Sequence, residues 1–202
     1  MIEQDAARLL EYMDSNGIDG STQVTRGWDH MGALVADAVL QRRQKYKATV
    51  YPRVQSLLEQ WQDASTTAGL RKRLSGGGLS GVLRWRGQER LDQFEGIVSA
   101  LETCNINTVE ELASALNGER RDEVRSTLRR VKHVGPKTLD YIGILAGSSN
   151  ESAVDSRIRA HMRSAKISDL SYAHVQSVMH RAADHRGWRY GDLDAALWNA
   201  VP

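Results

Sequence analysis

This chain has little of several residue types that define common protein classes. It holds one cysteine, Cys104, and three prolines, and no apolar run approaches the roughly 20 residues of a membrane-spanning helix. One cysteine excludes an internal disulfide framework and any zinc or iron–sulfur site with several cysteine ligands. The first residues also lack the basic and apolar regions of a secretory signal. We therefore expect a cytoplasmic protein that does not cross a membrane.

The rest of the composition is that of an ordinary globular protein. The 202 residues are 41% hydrophobic and 26% charged, and the formal net charge is only +2. A chain of this length forms one domain or two small ones. So small a net charge does not by itself indicate nucleic acid as a partner, because that would require a locally basic surface.

Apolar residues recur at spacings of three and four rather than alternating, and this pattern predicts an all-α protein. The predicted helices cover residues 3–16, 28–44, 52–63, 66–74, 88–104, 119–131, 136–146, 155–165, 171–185 and 192–201. Thr108 and Glu111 form a capping box, which predicts the start of one more short helix. The glycine-rich stretch 75–81 predicts a flexible loop.

The most informative segment is 131–142, followed by Asp155 eighteen residues after Lys137. It predicts a helix, a tight turn and a second helix that carries Lys137 in its first turn. The free N–H groups and the dipole at the start of that helix favour a phosphate, which they bind without reading sequence. Gly135 is expected to allow the reversal of the chain, and Pro136 suits the first helical position.

Basic residues surround this turn and would supply the positive field that attracts phosphates. They are Arg120, Arg121, Arg125, Arg129, Arg130 and Lys132. An alternative of equal weight is a plain turn between two helices, with its arginines solvated.

Lys137 and Asp155 add chemistry to this turn. Desolvation and the helix dipole both favour the neutral amine of a lysine in a first turn, and that is its nucleophilic form. Asp155 is suited to interact with the ammonium or to stabilise a cationic intermediate. Each residue has a simpler interpretation, in which Lys137 is a solvated surface lysine and Asp155 only caps the next helix. Their combination around a glycine hairpin favours the functional interpretation.

The segment Val134–Ile142, followed by Ala153–Ile158, resembles the helix-hairpin-helix base-excision DNA glycosylases. That superfamily includes endonuclease III and the 8-oxoguanine DNA glycosylases. The likeness is strong over Val124 to Met162 and only topological elsewhere. It is fairly specific for the superfamily and does not indicate the substrate.

The resemblance implies a two-domain, all-α fold with a DNA-binding cleft between the domains. A helical-barrel domain, residues 28–146, would end in the helix-hairpin-helix. Residues 1–27 and 147–202 would form a second helical domain that carries the catalytic aspartate. The implied partner is double-stranded DNA with a damaged or modified base, and a monomer is expected.

A mechanism also follows from the resemblance. Lys137 matches the Schiff-base lysine of members that cleave the abasic site, and Asp155 matches the catalytic aspartate. The damaged nucleotide is flipped out, and Asp155 stabilises positive charge on the sugar as the base leaves. The Lys137 amine attacks C1′, and β-elimination then breaks the strand on the 3′ side. The residues that would bind DNA phosphate are His133, Val134, Gly135, Lys132 and Arg130.

Two further segments fall where relatives of endonuclease III place residues that fill the space left by the flipped base. Gln44 would be the plug, and Arg84 with Trp85 would form a second wedge. The alternatives are a solvated helix end for Gln44 and a core aromatic for Trp85.

Three features depart from the family pattern. His133 stands where the family usually has the first glycine of the hairpin, which predicts an altered backbone there. Leu139 replaces the usual small alanine, which predicts altered packing of the second helix. The C-terminal four-cysteine cluster is absent, so no iron–sulfur cofactor and no metal site are expected.

Three functions remain open. The leading one is a bifunctional DNA glycosylase and abasic-site lyase acting on an oxidised or otherwise modified base. The second is a non-catalytic helix-hairpin-helix DNA-binding module. The third is a glycosylase without lyase activity, in which Asp155 activates water and Lys137 binds phosphate.

Overall fold

The structure, a computed structural model, describes residues 1–24, 26–148 and 150–201. The chain divides into two compact units. We call Arg26–Ser148 the continuous unit, and Met1–Thr25 with Ser149–Pro202 the split unit. The junctions predicted from the sequence, after residues 27 and 146, each lie two residues from these.

All regular structure in the described residues is helical, as the apolar spacing predicts. The elements are α1 (Ile2–Ser15), α2 (Met31–Leu40), a π-helix (Tyr46–Val50), α3 (Tyr51–Gln60), a 3₁₀ turn (Gln62–Ser65), α4 (Thr67–Ser75), α5 (Leu79–Val82), α6 (Gln88–Thr103), α7 (Val109–Asn117), α8 (Arg121–Arg129), α9 (Pro136–Leu145), α10 (Ser156–Ser164), α11 (Tyr172–Arg186) and α12 (Tyr190–Asn199). None of these helices is both long and apolar enough to cross a membrane.

Local caps, which apolar spacing does not specify, set several helix ends. The observed α2 is shorter at both ends than the predicted helix 28–44. Its start is fixed by the His30 ring, which accepts a backbone N–H from the first turn of α2. The predicted capping box is present, since Thr108 and Glu111 each accept a backbone N–H from the other. The predicted loop 75–81 is wrong in part, because α5 begins within it.

The continuous unit is built around α2, in which every residue is buried. Its sequence is apolar on all sides, which is typical of a helix enclosed by others. It packs against α3, α6 and α9. The only charged residue in this helix, Asp37, is consequently held in the core with no exposed surface.

A partly buried ion pair joins α8 to α9. The Arg125 guanidinium lies 2.7 Å from Asp140 Oδ1, and the Asp140 side chain is 2% exposed. Arg129 forms a second link across the hairpin, because its Nη1 donates to the Val134 carbonyl at 2.9 Å. The bonds of these two arginines stabilise the geometry of the hairpin.

The split unit packs α1 against α11, and α12 against α10 and α11. The apolar spacing of the first helix places Ala6, Leu9, Leu10 and Met13 on one face; Ala6, Leu9 and Met13 are fully buried, and Leu10 is half-buried. In α10, His161 Nδ1 lies 3.0 Å from the Tyr12 hydroxyl. Burial lowers the pKa of His161, so this ring is neutral near pH 7.

Candidate nucleic-acid interface

The turn between α8 and α9 reverses at His133, not at Gly135. His133 has φ of +68°, whereas Gly135 is extended, with φ of −96° and ψ of 178°. The role expected for Gly135 in the reversal is therefore wrong. His133 instead takes a backbone conformation that glycine adopts at lower cost.

Gly135 leaves the start of α9 open. No side chain among the described residues caps this helix, and its first internal bond runs from the Leu139 N–H to the Gly135 carbonyl at 3.0 Å. Because Lys137 and Thr138 lie in the first turn, their N–H groups have no acceptor within the helix. Pro136, which precedes them, has no N–H. This opening is a backbone site of the kind that accepts an anion.

Replacing Gly135 by alanine tests whether this opening binds phosphate. The Gly135 backbone suits alanine, and an added Cβ would meet only Arg129 Nη1, at 3.5 Å. We expect Gly135→Ala to cost at most about 1 kcal/mol of folding free energy. We expect it to weaken duplex binding several-fold, because the methyl group stands beside the N–H groups that would contact the phosphate. Thermal unfolding and fluorescence anisotropy with a labelled duplex measure the two effects; equal duplex affinities would contradict a phosphate site here.

Only part of the basic cluster around the hairpin is available to an external phosphate. Four of its arginines bond within the unit: Arg120 to Glu123 and Cys104, Arg121 to Leu116, Arg125 to Asp140, and Arg129 to Val134. Arg130 and Lys132 are exposed, and no hydrogen bond or ion pair to another described residue engages either of them. These two are the cations of the predicted phosphate-binding set that remain available to DNA.

Three segments with separate sequence signals meet on the continuous unit, at Glu89 and Arg90. Glu89 pairs with Arg42, and its Oε2 lies 3.7 Å from His133 Nε2. Arg90 donates to the Arg42 carbonyl and lies 4.3 Å from the centroid of the Trp85 ring. The turn after α2, the loop before α6 and the α8–α9 hairpin thus form one surface, which we call the three-segment surface (residues 41–45, 83–90 and 129–135).

The three-segment surface is strongly basic. Its exposed cations include Arg42, Arg43, Lys45, Arg84, Arg86, Arg129, Arg130 and Lys132. Glu89 is the only acidic residue in these three segments, and the hydrogen bond from Arg42 lowers its pKa. The local positive charge that the net charge of the chain does not reveal is therefore concentrated here.

The predicted plug and wedge residues belong to this surface but differ in exposure. Gln44 is half-buried in the turn after α2, where its N–H donates to a backbone carbonyl. The Trp85 ring is half-buried, with the guanidinium groups of Arg53 and Arg90 5.6 Å and 4.3 Å from its centroid. This is packing typical of the core-aromatic alternative. Arg84, next to it, is exposed, has φ of +47° and is better placed to contact a duplex.

Lys137 belongs to the continuous unit, and Asp155 belongs to the split unit. Lys137 is half-buried in the first turn of α9, and no described residue forms a hydrogen bond or ion pair with its ammonium. Asp155 is the N-cap of α10, where its Oδ1 accepts the N–H groups of Arg157 at 2.8 Å and Ile158 at 2.9 Å. Asp155 therefore has the capping role that its sequence position also predicts, and neither of these bonds uses Oδ2.

A buried carboxylate not predicted from the sequence, Asp37, lies in the core of the continuous unit. Asp37 Oδ2 accepts the Trp28 indole N–H at 2.9 Å and the Tyr46 hydroxyl at 3.1 Å, and Oδ1 accepts the Tyr141 hydroxyl at 2.9 Å. Burial raises the pKa of Asp37 despite these three donors. Tyr141 follows Lys137 by one turn of α9, so this network is tied to the helix of the candidate nucleophile. The sequence signal was an aspartate inside an otherwise apolar helix.

The chain does not supply the ligands of the four-cysteine iron–sulfur cluster found in the family that it resembles. Its one cysteine, Cys104, is buried at the end of α6. A cluster of that type needs four thiolate ligands, and this chain supplies one.

Comparison with known proteins identifies a family but no function. The model of a family described as a domain of unknown function, DUF8548, matches residues 8–201. No curated protein and no solved structure matches the chain.

Proposed function

We propose that this chain, which belongs to the DUF8548 family, is a DNA glycosylase with abasic-site lyase activity. Its substrate would be double-stranded DNA with an oxidised or otherwise modified base. The observation that carries the proposal is the three-segment surface around an uncapped helix start, with a lysine in the first turn of that helix that forms no hydrogen bond or ion pair with a described residue. No resident metal or cofactor is part of the proposal.

Phosphate binding is the step that the geometry supports most directly. The open start of α9 offers N–H donors and a positive dipole end to one phosphate. Arg130 and Lys132 flank it, and Arg84 extends the positive surface along the duplex. These contacts position the DNA without reading its sequence, as a repair enzyme that scans for lesions requires.

The proposed chemistry needs Lys137 and Asp155 to act on the same extruded nucleotide. The C1′–N bond breaks, its electrons leave with the base, and the Asp155 carboxylate stabilises the resulting positive charge on the sugar. The Lys137 amine bonds to C1′, and the proton that its nitrogen loses goes to the departed base. The C1′–O4′ bond then breaks, O4′ takes a proton from water, and the bond between C1′ and the lysine nitrogen becomes an imine. Water takes the C2′ proton, whose electron pair forms the C2′–C3′ double bond as the C3′–O bond breaks and the 3′ phosphate leaves; hydrolysis of the imine by water then releases the lysine.

One observation favours a second candidate function. Asp155 satisfies two backbone N–H groups at the start of α10, which accounts for it without catalysis. In that case the protein is a DNA-binding module. A glycosylase that uses Asp155 to activate water, with Lys137 binding phosphate, lies between the two.

A cleavage assay separates these functions. The unmodified protein is incubated with a duplex that holds one abasic site, and with a panel of duplexes that each hold one modified base. A broken strand, together with a protein–DNA adduct trapped by borohydride, supports the proposed lyase. Free base without strand breakage identifies the glycosylase without lyase activity. Binding without either product identifies the DNA-binding module.

Asp155→Asn tests the aspartate without removing the cap. Asparagine is as good an N-cap as aspartate, so we expect the folding free energy to change by about 0.5 kcal/mol or less. The carboxylate charge is lost, and we expect base excision to fall by about 10²-fold or more. Excision at the unmodified rate in the folded variant would assign Asp155 to capping alone.

A further inference from the structure

A group of aromatic rings stands on the continuous unit beside Asp37. The rings of Trp28 and Tyr51 are nearly parallel, with centroids 6.4 Å apart and planes inclined by 29°. The Tyr46 ring lies 6.2 Å from that of Tyr51. The Tyr51 side chain is 45% exposed, and Trp28 and Tyr46 are half-buried, so part of this aromatic surface faces solvent.

The π-helix is what brings Tyr46 and Tyr51 together. The Tyr51 N–H donates to the Tyr46 carbonyl, which is the i to i+5 bond of a π-helix, so the two residues lie on the same side of the chain. In an α-helix, residues five apart diverge by more than a quarter turn. Single π-turns occur frequently at functional sites.

Asp37 accepts hydrogen bonds from the polar atoms of two of these rings, and the ring faces take no part in these bonds. The Trp28 indole N–H and the Tyr46 hydroxyl both donate to Asp37 Oδ2. These two rings therefore have fixed orientations, and their donor hydrogens are not available to a ligand. What they offer is an apolar face, which is suited to stacking with a flat ring and tolerant of that ring's identity.

The charges beside these rings favour a ligand that carries phosphate. Lys45 and Lys47 flank Tyr46 and are exposed. Residues 41–53 hold five cations and no acid, namely Arg42, Arg43, Lys45, Lys47 and Arg53. An aromatic face next to a phosphate-attracting chain is the arrangement with which proteins bind unpaired nucleotides.

We infer that Trp28, Tyr46 and Tyr51 form a stacking platform for an unpaired nucleobase. Lys45 and Lys47 would hold the phosphates of the same strand. The network Tyr141–Asp37–Trp28 links the platform to α9, one helical turn from Lys137. The inference rests on the proposed function only in naming DNA as the source of the base, since the platform itself belongs to one unit.

Tyr51→Ala tests the platform with two probes that share a backbone. One probe is an eight-nucleotide oligothymidylate, and the other is an oligomer of the same length made of reduced abasic sites, which cannot form an imine with Lys137. We expect the unmodified protein to bind the first about fivefold or more tightly than the second, because each base that stacks on an aromatic ring adds favourable binding free energy. We expect Tyr51→Ala to remove most of this difference and Tyr51→Phe to keep it. Fluorescence anisotropy measures both affinities, and circular dichroism confirms the fold.

Lys47→Gln is the matched control, because it removes a neighbouring charge and leaves the rings in place. We expect it to weaken both oligomers equally. A folded Tyr51→Ala variant that still prefers the base-bearing oligomer overturns the platform, as does an unmodified protein with no preference. A protein that binds neither oligomer overturns the platform as well, and leaves these rings as a contact for a protein partner.

The cleavage assay separates this outcome from failure of the proposed function. Strand cleavage without any Tyr51 effect removes the platform and leaves the lyase. A Tyr51-dependent preference without cleavage or adduct keeps the platform on a DNA-binding module.

Discussion

Lys137→Ala is expected to abolish the borohydride-trapped adduct, with a loss of about 10³-fold or more, because it removes the amine on which the proposed imine forms. The fold is expected to survive. Lys137 makes no hydrogen bond or ion pair with a described residue, and its charge opposes the dipole at the start of α9. Removing it should leave stability unchanged or raise it by about 0.5 kcal/mol. Denaturing gels quantify the adduct, and urea unfolding quantifies stability.

Two matched variants separate catalysis from phosphate binding. Lys132→Ala removes an exposed cation from the same hairpin, so we expect weaker binding but full trapping at saturating protein. Lys137→Arg keeps the positive charge at the helix start but does not form a stable imine, so we expect binding without trapping. Adduct that persists in Lys137→Ala would rule out Lys137 as the nucleophile. Binding lost in Lys137→Ala and retained in Lys137→Arg, with no adduct from the unmodified protein, would assign Lys137 to phosphate.

Most of the helices could be predicted from apolar spacing, because most of them bury one face in their own unit. The first helix illustrates this, since Ala6, Leu9 and Met13 all lie in the core. What spacing does not give is the backbone between helices. The reversal at His133 was assigned to Gly135 because glycine adopts positive φ most easily. The surrounding bonds nevertheless hold His133 at +68°.

The composition of the candidate surface could be predicted only in part, because it depends on contacts between distant residues. The Arg42–Glu89 pair spans 47 positions of the chain, and local sequence has no signal for it. The same holds for the hairpin arginines. Arg125 looks like a free cation in the sequence but is committed to Asp140, which follows it by fifteen residues and is buried. Sequence thus overstates the number of cations available to DNA.

The hydrogen-bond partners of Asp37 could not be predicted from the sequence either. An aspartate in an apolar helix signals a buried polar group, but not which donors satisfy it. The three donors come from a segment before the helix, the π-helix after it and α9, about a hundred residues later. The aromatic platform depends on this arrangement, so it too lay beyond what local patterns predict.

Asp37→Ala is expected to lower the free energy of unfolding by about 3 kcal/mol. It leaves three hydrogen-bond donors without their acceptor, and a donor left unsatisfied in the interior costs 1–3 kcal/mol. Trp28 and Tyr46 are half-buried and recover part of this cost from water, which keeps the sum well below its upper limit. Urea unfolding at pH 7 measures the change. A loss under about 1 kcal/mol would mean that the network does not support the fold.

Asp37→Asn distinguishes the shape of this residue from its charge. The asparagine oxygen can accept from Trp28 and Tyr46, and its amide can donate to the Tyr141 hydroxyl, so the fold should be retained.

Because burial raises the pKa of Asp37 above its ordinary value of 3.8, the unfolded chain releases this proton at lower pH than the folded protein does. The contribution of the protonated carboxyl is therefore fully present below pH 3.8 and is lost as the pH rises through the folded-state pKa. We expect the unfolding free energy of the unmodified protein, minus that of Asp37→Asn, to fall as the pH is raised from below 4 to neutrality. A difference that stays flat or rises over that range would mean that the three donors outweigh burial and that the folded protein holds Asp37 ionised.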